Sequence, residues 1–156
     1  MPELTEKLDA LARADEPLSE CGVFEIVLWK VNRYASIPDS VRKDMHALRK
    51  LGPREHRLGR DVLLALLDCK GVDLPMASTL LRFQVPTVFQ IIDRHAYRAV
   101  FRLAYPLSQK SRPEDKAETY FKYLDELHNL ADSRKVKFTD LDRILYVFDK
   151  DLNGFL

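Results

Sequence analysis

The residues with the clearest chemical potential form one short run, Ile92-Asp93-Arg94-His95-Ala96-Tyr97-Arg98. A carboxylate such as that of Asp93 can stabilise positive charge that builds on a reacting centre, and it can orient or deprotonate an attacking water. Asp93 also directly precedes a predicted helix, so on spacing alone an N-cap worth about 1 kcal/mol is the simpler explanation. The two roles are compatible. Arg94 and Arg98 are candidate phosphate contacts, although solvent-facing arginines give the same pattern. His95 is more typical of a packed structural histidine than of an acid or base.

A glycine turn between two apolar helices lies about twenty residues before Asp93. The helix over Arg60–Asp68 is followed by Lys70-Gly71-Val72-Asp73, and the chain resumes as a helix at Pro75–Phe83. Such a helix-hairpin-helix can aim backbone N–H groups and a helix N-terminus at a phosphate without reading bases. An ordinary pair of helices joined by a short turn has the same pattern, so both interpretations stay open.

Taken together, the turn and the downstream aspartate resemble the helix-hairpin-helix DNA glycosylase superfamily of base-excision repair. That family has a hairpin of the form Leu-Pro-Gly-Val-Gly-x-Lys-x-Ala and, about twenty residues later, an apolar pair followed by Asp-x-His-x-x-Arg. The matching segments here are Asp68-Cys69-Lys70-Gly71-Val72-Asp73-Leu74-Pro75-Met76-Ala77 and Ile92-Asp93-Arg94-His95-Ala96-Tyr97-Arg98. Leu28-Trp29-Lys30 with Arg33, and the closing run Leu141-Asp142-Arg143-Ile144-Leu145-Tyr146, look like a group of short bacterial members.

The resemblance implies specific roles for several residues. Asp93 occupies the position of the family's catalytic aspartate. Contacts to duplex DNA are expected from the turn and from cations on neighbouring helices: Lys70, Gly71, Val72, Asp73, Arg94, Arg98, Lys30 and Arg33. Trp29 and Tyr34 are candidates to stack on a flipped base or to fill the gap it leaves, because extrusion opens such a gap. A tryptophan in an apolar helix is nonetheless core by default.

Departures from the family pattern restrict the chemistry. Pro75 stands where bifunctional members carry the lysine that forms a Schiff base, so we expect no lyase activity, and Lys70 and Lys30 are poor substitutes. Asp73 replaces the second glycine of the hairpin, and its carboxylate would repel a phosphate unless it caps the following helix. No cysteine follows Cys69, which excludes the iron–sulfur cluster of some relatives. The four histidines lack metal-ligand spacing, so we expect no metal and no cofactor.

Helical periodicity dominates the whole chain. Ser19 is positioned to N-cap one helix, Val41, Met45 and Leu48 mark another, and Ser111-x-x-Glu114 reads as a capping box for a long helix to about Ala131. No stretch alternates with period two. The sequence therefore predicts an all-α protein of about eight helices: a compact multi-helix, DNA-glycosylase-like domain that contains a helix-hairpin-helix and spans residues 1–156.

Composition narrows the class of protein. The 156 residues are 46% hydrophobic and 31% charged with only 5 Gly, which excludes disordered and low-complexity classes. The longest apolar run, Val62–Leu67, is far too short for a membrane span, and the acidic first twenty residues lack the apolar core of a signal peptide. We therefore expect a cytoplasmic protein, associated with the nucleoid if it binds DNA. Residues 42–60 are strongly basic; they could track a phosphate backbone or form a solvated surface.

Three functional hypotheses follow from these patterns. The first is a DNA-binding, base-excision-repair-like protein, a monofunctional N-glycosylase (a hydrolase) that uses Asp93 on a flipped damaged base in double-stranded DNA. The second is a non-catalytic DNA-binding or protein-interaction module on the same fold, which Pro75 and Asp73 favour. A helical scaffold with no DNA role is the third possibility if residues 42–60 face away from the hairpin. The sequence leaves open the base recognised, the oligomeric state and any protein partner.

Overall fold

The computed structural model describes residues 6, 19–31 and 35–153, with Trp29 described by its backbone alone. Contacts divide the chain into two compact units, residues 1–35 and 36–156, and each is described by itself. One domain over residues 1–156 stays a prediction. In the first unit, helix α1 spans Glu20–Lys30. The Ser19 hydroxyl accepts the Gly22 N–H at 3.1 Å, so the predicted N-cap is confirmed.

The second unit consists of helices joined by short turns. The α-helices are α2 (Asp39–Ala47), α3 (Arg60–Asp68), α4 (Leu74–Gln84), α5 (Arg94–Phe101), α6 (Pro113–Arg134) and α7 (Leu141–Asn153). Three short 3-10 helices span Leu48–Lys50, His56–Gly59 and Phe138–Asp140. No strand occurs within 19–31 and 35–153. The all-α prediction is confirmed for this part of the chain.

Helix α6 forms the centre of the second unit. Its 22 residues contribute the largest fully buried side chains, among them Tyr120, Phe121 and Tyr123. Helices α3 and α5 both pack against α6. The most extensive contact of α5 is with α7. Burying these apolar faces provides most of the stabilisation, at roughly 25 cal/mol per Å² of apolar surface. The core therefore holds α5 and α7 together over a wide interface.

Gly59 permits a close approach in this core. A Cβ atom at this position would lie 2.8 Å from Cζ of Phe89, a ring that is itself fully buried. Glycine therefore lets the 3-10 helix before α3 lie directly against the segment that precedes α5.

The start of α6 differs from the predicted capping box. The helix begins at Pro113 with Arg112 as its N-cap residue, and no side chain caps it. The Ser111 hydroxyl instead accepts the Ser108 N–H at 3.0 Å, which closes a local turn. The capping-box prediction is wrong because serine hydroxyls also bond to backbone groups in turns, and here the preceding turn has taken the oxygen.

Candidate active site

Asp93 is the N-cap residue of α5. Its backbone is extended (φ −137°, ψ 179°), and its Oδ1 accepts the Ala96 N–H at 2.8 Å. The capping role that spacing favoured is thus confirmed. Oδ2 has no hydrogen-bond partner within the described ranges of the chain. One oxygen of the carboxylate is fixed by the helix and the other is available for chemistry.

Asp93 lines a groove of about 390 Å³ between α5 and α7. Its lining combines an apolar and aromatic surface with two carboxylates and one cation: Ile91, Asp93, Ala96, Asp142, Arg143, Tyr146 and Val147. A volume of this size falls in the range of small-molecule sites, which are mostly apolar with a few polar groups that orient the ligand.

Two buried tyrosines hold the segment that leads into Asp93. The Tyr120 hydroxyl donates to the Gln90 carbonyl at 2.7 Å, and the Tyr123 hydroxyl donates to the Ile91 carbonyl at 3.0 Å. Burial raises the pKa of Tyr123 well above its ordinary value, and the charges of Tyr120, Asp93 and Asp142 raise it further. Both groove carboxylates therefore lie close to this tyrosine, on a backbone that α6 keeps in place.

The second groove carboxylate, Asp142, is buried at the start of α7. Its Oδ1 accepts the Arg143 N–H at 2.8 Å, and its Oδ2 lies 3.5 Å from Nε of Arg82. The Arg82 guanidinium also donates to the Thr139 carbonyl at 2.9 Å. Arg82 therefore links α4 to the beginning of α7 and balances the charge of Asp142, which leaves Asp93 as the groove carboxylate with a free oxygen.

The turn between α3 and α4 has the backbone that its glycine predicts. Gly71 has φ 82°, a left-handed conformation that favours glycine, and the Val72 N–H donates to the Cys69 carbonyl at 3.1 Å. Lys70 and Gly71 are exposed, whereas Val72 is buried. The Ser36 N–H donates to the Lys70 carbonyl at 3.1 Å, which fixes the segment before α2 against the turn.

Asp73 is engaged within the protein at the end of this turn. Its Oδ1 accepts the Leu74 N–H at 2.7 Å, so the expected cap of α4 is present. The same oxygen lies 2.7 Å from Nζ of Lys116, a side chain only 7% exposed. Lys116 also donates to the Gln109 carbonyl at 3.2 Å. The paired cation offsets the charge of Asp73, and with it the repulsion that this carboxylate would exert on a phosphate at the turn.

Tyr105 connects the turn with the groove. Burial raises its pKa above the ordinary value, and the charges of Asp73 and Asp93 raise it further. Both carboxylates therefore lie near its ring, although they start different helices. A smaller cavity of about 260 Å³ beside it is lined by Asp73, Pro75 and Tyr105, with Leu107, Ser108 and Gln109. The structure thus brings the two sequence motifs to neighbouring surfaces.

His95 and Arg98 contact a buried carboxylate on α7. The side chain of Asp149 is 1% exposed. It accepts a hydrogen bond from Nδ1 of His95 at 2.8 Å and two from Arg98, at 2.8 and 2.7 Å. The hydrogen bond from Arg98 and that from His95 hold the pKa of Asp149 well below its usual range, against the effect of burial. His95 is therefore the packed histidine that the sequence favoured. A phosphate contact by Arg98 would compete with a bidentate pair.

The other predicted contacts are distributed more widely. Arg94 is exposed at the first position of α5, with Nε 3.4 Å from Nε2 of His95. Lys30 is exposed at the last position of α1, in the other unit. Arg33 and Tyr34 lie outside the described residues, as does the side chain of Trp29. Their proposed roles as DNA contacts and base-stacking groups stay predictions.

Sequence reasoning missed Lys116, Tyr105, Arg82 and Asp149 as supports of this region. Only Asp142 had a signal, because it falls in the closing run that resembles the short bacterial group.

Among the described residues, no three His, Cys, Asp or Glu side chains are grouped so that they could hold a metal ion. None of the described helices combines the length and the apolar character needed to cross a membrane. Comparison of the chain with protein-family models, with curated proteins and with solved structures finds no match.

Proposed function

We propose that this protein binds double-stranded DNA and hydrolyses the N-glycosidic bond of a base that enters the groove between α5 and α7. The observation that carries the proposal is the position of Asp93, whose free Oδ2 belongs to a carboxylate lining an apolar groove of about 390 Å³. A damaged base rotated out of the duplex would lie in that groove with its sugar next to the carboxylate.

Hydrolysis needs one water and one carboxylate. The oxygen of water forms a bond to C1′ while the C1′–N bond breaks, and the bonding electrons leave with the base. Asp93 stabilises the positive charge on the sugar and takes the proton that the water loses, which then passes to the departing base. Pro75 supplies no amine, and Lys116 is paired with Asp73, so the reaction ends at the abasic site without strand cleavage.

The test is binding to a duplex that carries a cationic pyrrolidine in place of one sugar, compared with the intact duplex at fixed salt. The pyrrolidine mimics the charged sugar of the transition state, so no damaged base has to be guessed. We expect the protein to prefer the analogue duplex by about 100-fold or more, as transition-state analogues require. Asp93→Asn should lose this preference and keep its fold, because asparagine caps helices as well as aspartate does.

Asp61→Asn is the matched control, since it removes an exposed aspartate from the first turn of α3, away from the groove. It should retain the preference. A preference that survives in Asp93→Asn would contradict the proposed role of the carboxylate.

A non-catalytic DNA-binding module is the second candidate function. It is favoured by Pro75, which stands in the first turn of α4 in place of a lyase lysine, and by Asp73, whose carboxylate lies at the turn. Equal, salt-dependent binding to the analogue and the intact duplex would support the module and exclude catalysis. Absence of binding to both would contradict a DNA role altogether.

A further inference from the structure

Six of the seven lysines and arginines in the basic segment at residues 42–60 separate into two groups, and the seventh, Arg60, is half-buried at the start of α3. Three arginines are ion-paired: Arg42 with Asp39, Arg54 with Asp132 at 2.5 Å, and Arg57 with Asp125 at 2.6 Å. The pairs of Arg54 and Arg57 reach α6, so these two side chains fasten the loop before α3 to the central helix. These three arginines are therefore paired with carboxylates of the protein itself.

The second group consists of Lys43, Arg49 and Lys50. All three are exposed, and within the part of the chain that the structure describes none has an ion pair or a hydrogen bond from its side chain. Met45 and Leu48 are the buried residues of the same stretch, so α2 and the following 3-10 helix turn their apolar side to the core. Lys43 and Lys50 lie two residues from these positions, on the opposite side.

Of the free cations, Lys43 lies on α2 and the other two lie on the 3-10 helix that follows it, and the chain passes the glycine turn just before α2 begins. Helix α2 packs against both α3 and α4, the two helices that the turn joins. The bond from Ser36 N–H to the Lys70 carbonyl holds the chain beside the turn three residues before α2 begins. At the other end, Nδ1 of His46 lies 3.5 Å from Nε2 of Gln84, the last residue of α4. Gln84 lies ten residues, or about 15 Å, along α4 from its start at the turn, so the basic surface extends away from the turn along α4.

We propose that Lys43, Arg49 and Lys50 form a phosphate-contact surface along α2 and the following 3-10 helix, which holds the backbone of one strand of duplex DNA where it leads away from the turn. The inference rests on the proposed DNA binding and names where most of its electrostatic affinity arises. The rise of the helical backbone places Lys43 and Lys50 about 12 Å apart along the axis. Phosphates of one strand follow each other every 3.4 Å or so along the duplex axis, so about three or four of them span this distance. Three unpaired cations match that number.

The test compares two triple variants of equal charge. Lys43→Gln, Arg49→Gln and Lys50→Gln neutralise the unpaired set, and Arg42→Gln, Arg54→Gln and Arg57→Gln neutralise the paired set. Binding to an intact duplex is measured for the whole chain between about 50 and 200 mM salt. Each phosphate contact adds about 0.9 to the slope of log affinity against log salt.

We expect the unpaired-set variant to lose about 2.7 from this slope, whereas the paired-set variant keeps it. Over that fourfold range of salt, the unmodified protein should therefore lose about 40-fold more affinity than the unpaired-set variant. Glutamine is a good helix former and the replaced side chains are exposed, so the fold should persist, and circular dichroism checks it. Should the paired set lose its fold, exposed lysines Lys122, Lys135 and Lys137 changed to Gln provide the control.

Failure of the inference can be told apart from failure of the proposed function. Duplex binding with an unchanged slope in the unpaired-set variant, or an equal loss in the control, overturns the assignment of this surface and leaves DNA binding intact. The expected loss of slope, combined with no preference for the pyrrolidine duplex, keeps the surface and overturns the hydrolase. No duplex binding by the unmodified protein overturns both.

Discussion

The pH dependence of stability should be dominated between pH 6.5 and 4 by one buried histidine. His128 is 6% exposed, its ring stacks on Phe138 with centroids 4.1 Å apart, and its Nε2 has no hydrogen-bond partner. The pKa of His128 is lowered from 6.5 to about 4, mainly by burial and also by the nearby charges of Arg54 and His56, against the opposing effect of Asp132 and Asp125. The folded protein therefore holds this ring neutral where the unfolded chain protonates it.

The magnitude follows from that difference. Each unit of pKa corresponds to about 1.4 kcal/mol, and the unfolded state binds the extra proton as the pH falls through 6.5. The free energy of unfolding should drop by about 2 kcal/mol at pH 5 and about 3 kcal/mol at pH 4, and this contribution levels off below pH 4. Burial also lowers the pKa of His56, although its bond to Asp125 opposes the shift, so His56 adds a loss of the same sign.

The assay is urea denaturation at pH values from 7 to 4 for the unmodified protein and for His128→Phe. Phenylalanine can keep the stack on Phe138, and it removes the titrating imidazole together with its unpaired buried Nε2. At pH 7 we therefore expect little loss of stability. On going from pH 7 to 4 the variant should lose about 3 kcal/mol less than the unmodified protein. Carboxylates that titrate in this range are common to both proteins and largely cancel. Parallel curves, or an NMR titration that places the His128 pKa at 6.5 or above, would refute the reasoning.

Two further changes test the packing of the second unit by denaturant unfolding. Asp149→Asn removes the charge that Arg98 and His95 surround. Removing one partner of a buried ion pair should lower the free energy of unfolding by roughly 3 kcal/mol at pH 7. A loss under about 0.5 kcal/mol would contradict the stabilising role of the contacts that Asp149 makes with Arg98 and His95. The pKa of Asp149 is lowered in the fold, so its contribution is present above its ordinary pKa and lost as the pH falls below it. Lys135, the residue after α6, has a left-handed backbone with φ 54°, which glycine adopts without strain. Lys135→Gly should therefore raise the free energy of unfolding by about 1 kcal/mol. Lys137→Gly, at φ −66°, should instead lower the free energy of unfolding by up to about 1 kcal/mol, because glycine gives the unfolded chain more freedom, and equal effects of the two changes would exclude the backbone explanation.

Local features could be predicted from the sequence because they depend on neighbours in the chain. The cap at Ser19, the caps at Asp73 and Asp93 and the left-handed turn at Gly71 each involve residues within a few positions. The helices themselves follow from the spacing of their apolar residues. The failed capping box at Ser111 is local too, and it failed because two backbone N–H groups were possible partners for one hydroxyl.

Long-range pairs could not be predicted in the same way. Lys116 is 43 positions from Asp73, and Asp149 is 54 positions from His95. Charged residues are common throughout the sequence, so no spacing rule indicates which of them becomes buried. The partner of a buried charge is decided by how helices pack, and a single sequence does not specify that packing.

The contacts of Asp149 change the roles assigned to the residues that follow Asp93. Arg98 resembles a DNA contact by sequence, but in the structure it joins His95 in binding α5 to α7 through one carboxylate. Those two helices are the walls of the groove, since Asp93 and Ala96 lie on one side and Asp142 to Val147 on the other. A hydrolysis that depends on one carboxylate needs that carboxylate at a fixed distance from C1′, because small displacements are costly in rate. Under the proposed function, His95 and Arg98 would therefore be positioning residues for Asp93, and phosphate contacts are proposed instead for Lys43 on α2 and for Arg49 and Lys50 on the 3-10 helix after it.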